Sequence, residues 1–534
     1  MSRMQSTRST RAANGGISRR DVLRNTAAGG AALGAYGAGL PLFNIVRAQD
    51  NKITYALFGE PPGLNGFVYT EIHGNVVTTN IFDKMARIDH ATRRIEPEMV
   101  EWKNEDPLTW VLKVREGIQW HKGYGELTGE DILYCFNHVQ EASTFQKGVS
   151  HFPVDHAKLR SKYVVEVKLK MPFSPFPMVT LEYGGSVMCK AAHQEMGDQE
   201  FARNPIGTGP FELDSWVSGS HLVLKKNPNH WRDGRPYVDE VLYRVIEDPS
   251  VRLSSLLTGE IDIMPRPDPK DTPRFREGGE PGIAYQSVPG WNWDYMDFTF
   301  PPYIAADFPT VNVDVRRAIS YAIDRQTIID EIYAGEAIVT DNPVPPGYLG
   351  HRPSPIVYPA RGDLAKAKEL MAKAGATGFD LEVITSDKEW LRRECELVAA
   401  MLSEIGINMK IRGMDVGTYS TAWVKKQFQA DLEDITIVSP DVDSTLWWFH
   451  HKDGIVEHGW ENQAVSDWLD EGRAELDPEK RTTLYHNIVD AVLDDCPYIY
   501  FNHVNLVYLL KDAVKGFHGG PQEHVVPLWD VQWG

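Results

Sequence analysis

Residues 204–210 read NPIGTGP, and the chain runs on through FELDSW (211–216) to LVLKKNPNHWRDGRPYVDEVLYRVIEDPSVRLSSLLTGEIDIM (222–264). The run from 205 to 210 cannot continue a helix. Gly207 and Gly209 permit positive φ, and Pro210 lacks a backbone donor and restrains the residue before it. Leu222 and Leu224 alternate with polar neighbours as a half-buried strand does. Residues 250–257 have helical apolar spacing, and Gly259 follows as a left-handed stop. Strands, a tight turn and a short helix are predicted in that order. Glu260 and Asp262 read as surface or structural carboxylates.

Working outward, the same kinds of element recur. Strands are predicted at 53–58, 164–169, 381–385 and 408–412. Helices are predicted at 76–85, 364–374 and 392–405, the last two stopped by Gly375 and Gly406. The strand–helix–strand order after residue 300 predicts an α/β lobe with a largely parallel sheet.

The chain has 534 residues and a net charge of −19. Residues 1–48 carry seven Arg and one Asp, so the rest is near −25. That acidity disfavours nucleic acid and anionic membrane surfaces, and the length allows more than one core. Ser18-Arg19-Arg20-Asp21-Val22-Leu23 is a twin-arginine pattern ahead of a mild apolar run at 27–46. Val46-Arg47-Ala48 has small residues where signal peptidase cuts, so a mature start at Gln49 is expected. The run holds five glycines and Pro41, a poor composition for a membrane span. No cysteine lies near the cut, which argues against a lipid anchor. The four cysteines, Cys135, Cys189, Cys395 and Cys496, form no CxxC pair; bridges and buried thiols both remain open.

Catalytic signatures are missing: there is no P-loop, HExxH, GxSxG or zinc-type cysteine spacing. His450, His451 and His458 form the best metal-like group, with solvated loop histidines as the alternative reading. Two stretches suggest a ligand surface instead. In Gly290-Trp291-Asn292-Trp293-Asp294-Tyr295, a strand would put Trp291, Trp293 and Tyr295 on one face and Asn292 and Asp294 on the other. One set should face a cleft, and the aromatics could equally fill a core. The second stretch is 437–448, IVSPDVDSTLWW. Asp443 or Ser444 there could cap a helix. Trp447 and Trp448 point to different sides of any element, and Tyr419 and Trp423 share a helical face.

Several of these segments carry a resemblance. The 204–264 stretch closely resembles the family 5 extracellular solute-binding proteins of ABC importers, the group with the oligopeptide- and dipeptide-binding proteins. WVLKVRE (110–116) with GIQWH (117–121), LTGEDI (127–132), DVRRAISYAIDRQTII (314–329) and PVPPG (343–347) are similar to further segments of that family in the same order. The resemblance implies an α/β, two-lobed periplasmic binding protein fold (type II, cluster C-like) with a cleft between lobes. The implied partition is a signal peptide at 1–48, lobe I at 49–80 and 201–295, an extra subdomain of lobe I at 81–200, lobe II at 296–500, and a return to lobe I at 501–534. Chain crossings are expected near 288–300 and 498–508.

The family likeness also implies a mechanism. A ligand bridging both lobes stabilises the closed state, and the ABC permease and ATPase complex reads that closure. No bond changes, so neither an enzyme activity nor a cofactor is expected, and the receptor should act as a monomer after export by the twin-arginine translocase. In peptide-binding relatives a loop Asp pairs with the ligand's α-ammonium; Asp441 matches it best, with Asp443 as a near alternative and a helix N-cap as the competing use. The family's usual Asn at the first crossing corresponds to Thr299, and its cleft-edge loop to Asn65, Gly66 and Tyr69. The expected ligand-contact set is Asp441, Asp443, Trp291, Asn292, Trp293, Tyr419, Trp423, Trp447, Asn65 and Tyr69. Lys388, Arg392 and Arg393 lie where a peptide carboxylate could be met. The expected ligand is a short peptide or similar amine-bearing solute. An oligosaccharide or opine remains the alternative within the class, and a secreted cofactor enzyme the alternative outside it.

Overall fold

The computed structural model describes residues 51–65, 72–89, 94–141, 153–437, 439, 441–454, 456 and 458–534. The expected signal peptide, Gly66 and Tyr69 lie outside the described residues.

One strand organises the molecule. Tyr498–Lys511 is 14 residues long and apolar along most of its length. Its first half pairs antiparallel with Asn292–Phe298 and Ala337–Val339. Its second half pairs antiparallel with Ile283–Pro289 and Ile263–Pro265. Beyond Ile263–Pro265 the sheet continues through Lys52–Leu57, Glu240–Val245, His221–Lys226 and Phe211–Val217. Beyond Asn292–Phe298 it continues through Ala430–Thr436, Phe379–Ser386 and Ile407–Met414. The chain therefore passes between the two halves twice, at Gly290–Trp291 and along Tyr498–Lys511.

Each half has its own core. Ile53, Tyr55, Leu222, Leu224, Val241 and Tyr243 belong to one. Trp293, Met296, Leu381, Val383, Val398 and Ile499 belong to the other. The first core extends without a break into a four-stranded antiparallel sheet, Val100–Asp106, Thr109–Val114, Val164–Leu169 and Val154–Ser161, through Leu112, Val165, Val167 and Phe136. Helix Gly129–Glu141 packs on that sheet, and helix Lys190–Arg203 packs on that helix.

Two expectations change. The second half is not largely parallel: Phe379–Ser386 is parallel to both Ile407–Met414 and Ala430–Thr436, but Asn292–Phe298 and Tyr498–Lys511 enter antiparallel. The strands that join the halves must enter and leave one end of the sheet, and this fixes their direction. Gly207 and Gly209 also differ from expectation, because neither has positive φ. They are glycines because the turn lies against the chain end of helix Ile72–Ile81. A Cβ on Gly207 would stand 1.9 Å from the Ile81 carbonyl oxygen, and one on Gly209 2.6 Å from it. The Gly209 N–H donates to that carbonyl at 2.9 Å.

Other boundaries follow local chemistry. Asp248 caps helix Pro249–Leu257, its Oδ1 accepting from the N–H groups of Ser250 and Val251 at 2.8 and 2.9 Å. Gly259 follows with φ 81°. All four cysteines are free, buried thiols.

Candidate binding cleft

A cavity of about 520 Å³ lies where the two halves meet. Phe58, Arg252, Arg266, Tyr508 and Glu523 line it from the first half. Asn292, Asp294, Tyr333, Trp390, Arg393 and Asp434 line it from the second.

Strand alternation builds the second wall. Asn292 and Asp294 project toward the cavity from strand Asn292–Phe298, and Trp293 between them turns into the core. The Trp293 ring meets Phe449 at 5.8 Å and Tyr500 at 5.6 Å between centroids. On the next antiparallel strand Asp434 stands directly opposite Asp294. Two carboxylates thus face each other across one strand gap. Lys388 pairs with Asp434 and, at 2.8 Å, with Glu433. Tyr333 donates its hydroxyl hydrogen to Asp294 Oδ2, and Asn502 donates to the same oxygen at 3.0 Å.

The electrostatics of this wall are unequal. Burial, then the charge of Asp434, pushes the Asp294 carboxyl up to about 7. Burial acts on Asp434 in the same sense, but Lys388, the Glu433 hydrogen bond and Arg266 together outweigh it and hold that carboxyl below its ordinary range. Behind them, fully buried Glu394 is pushed well up by burial and then by Asp294. Asp434 is the ionised member, and the Asp294–Glu394 side holds a proton near neutral pH.

The first wall is cationic at its centre. Arg266 pairs with Glu523, and its guanidinium lies 4.8 Å from the Phe58 ring. Arg252 is fixed by three backbone carbonyls, those of Ile246, Glu247 and Arg266. Over the whole lining, eight carboxylates face four basic side chains, a balance that favours a positively charged group on the ligand.

Residues 94–456 match the family model for the middle part of bacterial extracellular solute-binding proteins, family 5. The chain belongs to family 5. The dipeptide-binding protein of Escherichia coli (strain K12) is 26% identical to this receptor over 508 residues, covering 88% of this chain and 92% of the relative. The structure of the periplasmic binding protein DppA from Helicobacter pylori in complex with peptide STSA superposes with a TM-score of 0.75 at 24% identity, over 90% of this chain and 98% of that one. AgaA of A. tumefaciens R10 in complex with agropinic acid gives 0.75 at 22% identity, over 90% and 99%. The family 5 receptor therefore has the two-lobed binding-protein fold. No helix among the described residues is long and apolar enough to cross a membrane.

The family 5 cleft uses only part of the expected contact set. Asn292 lines it, with its side chain held to the Val504 backbone: Nδ2 donates to the carbonyl at 3.2 Å, and Oδ1 accepts from the N–H at 2.7 Å. Arg393 lines it too. The expected role of Asp441 does not fit its place. Its carboxylate caps helix Val442–His450, accepting from Asp443 N–H at 2.9 Å, and pairs with buried Arg481 at 2.9 Å. Asp443 is fully buried and pairs with Arg473 at 3.0 Å. Neither carboxylate is among the cavity lining.

The aromatic candidates are core or subsurface. Trp291 packs edge-on to Tyr348 at 4.6 Å. Tyr419 is buried and donates to Asp431 at 2.8 Å. Trp423 meets the His458 ring at 5.5 Å, and Trp447 stacks on His451 at 4.6 Å. Asn65 is buried, and Thr299 donates to the Phe428 carbonyl at 2.8 Å. His450, His451 and His458 diverge: His450 Nε2 meets the Tyr500 hydroxyl at 2.9 Å, and His458 Nδ1 faces Asp297 at 2.6 Å.

Sequence reading missed Asp434, Tyr333, Trp390, Arg266 and Phe58. A signal existed for Asp434. The run ADLEDIT (430–436) places three carboxylates in an otherwise apolar strand, and such a strand tolerates them only where they are paired or exposed to a ligand. Arg266 had none, because its positive φ of 48° turns it toward Phe58 in a way no spacing encodes.

Proposed function

We propose that this protein is the periplasmic receptor of an ABC importer, capturing a short peptide or similar amine-bearing solute by closure of its two lobes. One observation carries the proposal: Asp434 and Asp294 face each other on the wall of an inter-lobe cavity of about 520 Å³ in whose lining acidic side chains outnumber basic ones. An ammonium group between the two carboxylates would pair with ionised Asp434 and, on displacing the Asp294 proton, gain charge-assisted hydrogen bonds to both. Arg266 and Arg252 on the first wall, and Arg393 on the second, are the partners for a ligand carboxylate. The binding role expected for Asp441 passes to Asp434 on this reading. A ligand that touches both walls favours the closed arrangement by its differential affinity, and the permease then reads that arrangement. The relatives named for dipeptides and for a bound peptide support this ligand class.

The N-terminal twin-arginine pattern supports export to the periplasm in folded form. The partition into lobe I, an inserted subdomain and lobe II follows the expected boundaries on this reading. The receptor acts without a cofactor and without turnover.

An opine is the second reading, because Trp390 offers a flat apolar face beside the same charges and a structure holding agropinic acid shares the fold. Native mass spectrometry of protein released gently from periplasm decides between them. Short peptides among the dissociated masses are expected. A single opine or sugar mass would shift the assignment to the second reading, and a tightly held chromophore would contradict both.

A further inference from the structure

Outside the cleft lining, two helices of the first half bring three ligating side chains together. His138 lies on helix Gly129–Glu141; His193 and Asp198 lie on helix Lys190–Arg203. One ligand atom of each lies within 4.8 Å of the other two. Asp198 Oδ1 is 2.8 Å from His193 Nε2 and 3.7 Å from His138 Nε2. Both imidazoles thus aim the same nitrogen at one carboxylate oxygen, with their rings nearly perpendicular at 4.9 Å.

The arrangement depends on a break in the second helix. Five residues separate His193 from Asp198, and on a regular α-helix that spacing turns the two side chains about 140° apart. Gly197 has φ 74°, so the helix is interrupted there and the Asp198 carboxylate returns over the His193 ring. His193 is also fixed from behind. Its Nδ1 lies 2.7 Å from the Tyr134 hydroxyl, one turn before His138 on the opposite helix. That contact leaves Nε2 as the ring nitrogen facing Asp198 and sets the ring plane, as outer partners of metal-bound histidines do.

We propose that His138, His193 and Asp198 form a site for a divalent transition ion of the zinc class, clamping these two helices together. With bonds of about 2.0–2.2 Å to nitrogen and oxygen, tetrahedral ligand atoms stand about 3.4 Å apart. The observed 2.8 and 3.7 Å bracket that spacing. Two imidazoles and one carboxylate suit zinc, cobalt or nickel better than calcium or magnesium, which take mainly oxygen ligands. His193 is buried but Asp198 is more than half exposed, so an ion can enter from solvent and keep a fourth position for water. No ligand of this site lines the cavity, so the ion serves the stability of the subdomain and takes no part in solute capture.

The test is calorimetric titration of zinc chloride into the untagged mature chain after chelator treatment and dialysis, with calcium chloride as the comparison. One zinc per chain, a raised melting temperature and no calcium binding are expected. His138→Gln and Asp198→Asn, both partly exposed positions, should each weaken zinc by more than the ~10–100-fold typical of losing an outer partner, with the circular dichroism spectrum unchanged. Tyr134→Phe should weaken it within that ~10–100-fold range. Absence of zinc binding at millimolar ion, or binding that both ligand variants leave unchanged, would overturn the site.

Discussion

Asp294 and Asp434 are chemically the same group on adjacent strands, yet one keeps its proton near neutral pH and the other does not. Lys388 sits beside Asp434 and makes the difference. An ammonium ligand placed between them must displace the proton of the Asp294 side. Its affinity should therefore fall as pH drops below about 7, by up to ~10-fold per pH unit, because the protonated carboxyl repels no partner and attracts none. Calorimetry at several pH values, in buffers of different ionisation heat, would show proton release on binding; affinity flat between pH 5.5 and 8 would contradict the assignment. Without ligand the same group acts on stability in a fixed direction. Its folded value of about 7 lies above the ordinary 3.8, so the native state holds the extra proton between those values. This contribution is complete below pH 4 and is lost as pH rises to 7. Replacing Asp434 by Asn should weaken an amine-bearing ligand by about 1.5–3 kcal/mol, the scale of a hydrogen bond to a charged group.

At the scale of elements, Asp441 shows what sequence could and could not say. The loop, the following helix and both competing uses of the carboxylate were legible in 437–448. The choice was not, because Arg481 comes 40 residues later and only the tertiary fold brings it to 2.9 Å. Asp441→Ala should therefore act on folding, costing about 3–5 kcal/mol by leaving Arg481 buried and unpaired. Urea denaturation measures this, and a large loss of ligand affinity at full stability would restore the original role. Alternation over residues 164–169 is a local property, and the strand it predicts is present. Strand direction is not local, and the strand–helix–strand order that predicts a largely parallel sheet does not reveal its antiparallel members. Gly207 was legible as a turn glycine for the wrong reason. Its Cβ would meet the Ile81 carbonyl oxygen at 1.9 Å, so Gly207→Ala should cost at least about 1–3 kcal/mol through overpacking. A denaturation midpoint equal to wild type would show that the turn can retreat.

For the whole molecule, two cores are joined at Gly290–Trp291 and along Tyr498–Lys511, and the cavity lies where they meet. The two-lobed plan was legible because ordered segments across most of the chain resemble one family. The cavity wall was not, since it is assembled from residues between Phe58 and Glu523 that meet only in space. A bound solute should draw the lobes together, and small-angle scattering at saturation should show a smaller radius of gyration. The central claim is recognition of a free amine by the Asp294–Asp434 wall. Calorimetric titration of di- and tripeptides, each against its N-acetylated form, tests it most directly. Binding of the free peptides with at least ~10-fold loss on acetylation, about 1.4 kcal/mol, is expected. Equal affinity for both forms would contradict it.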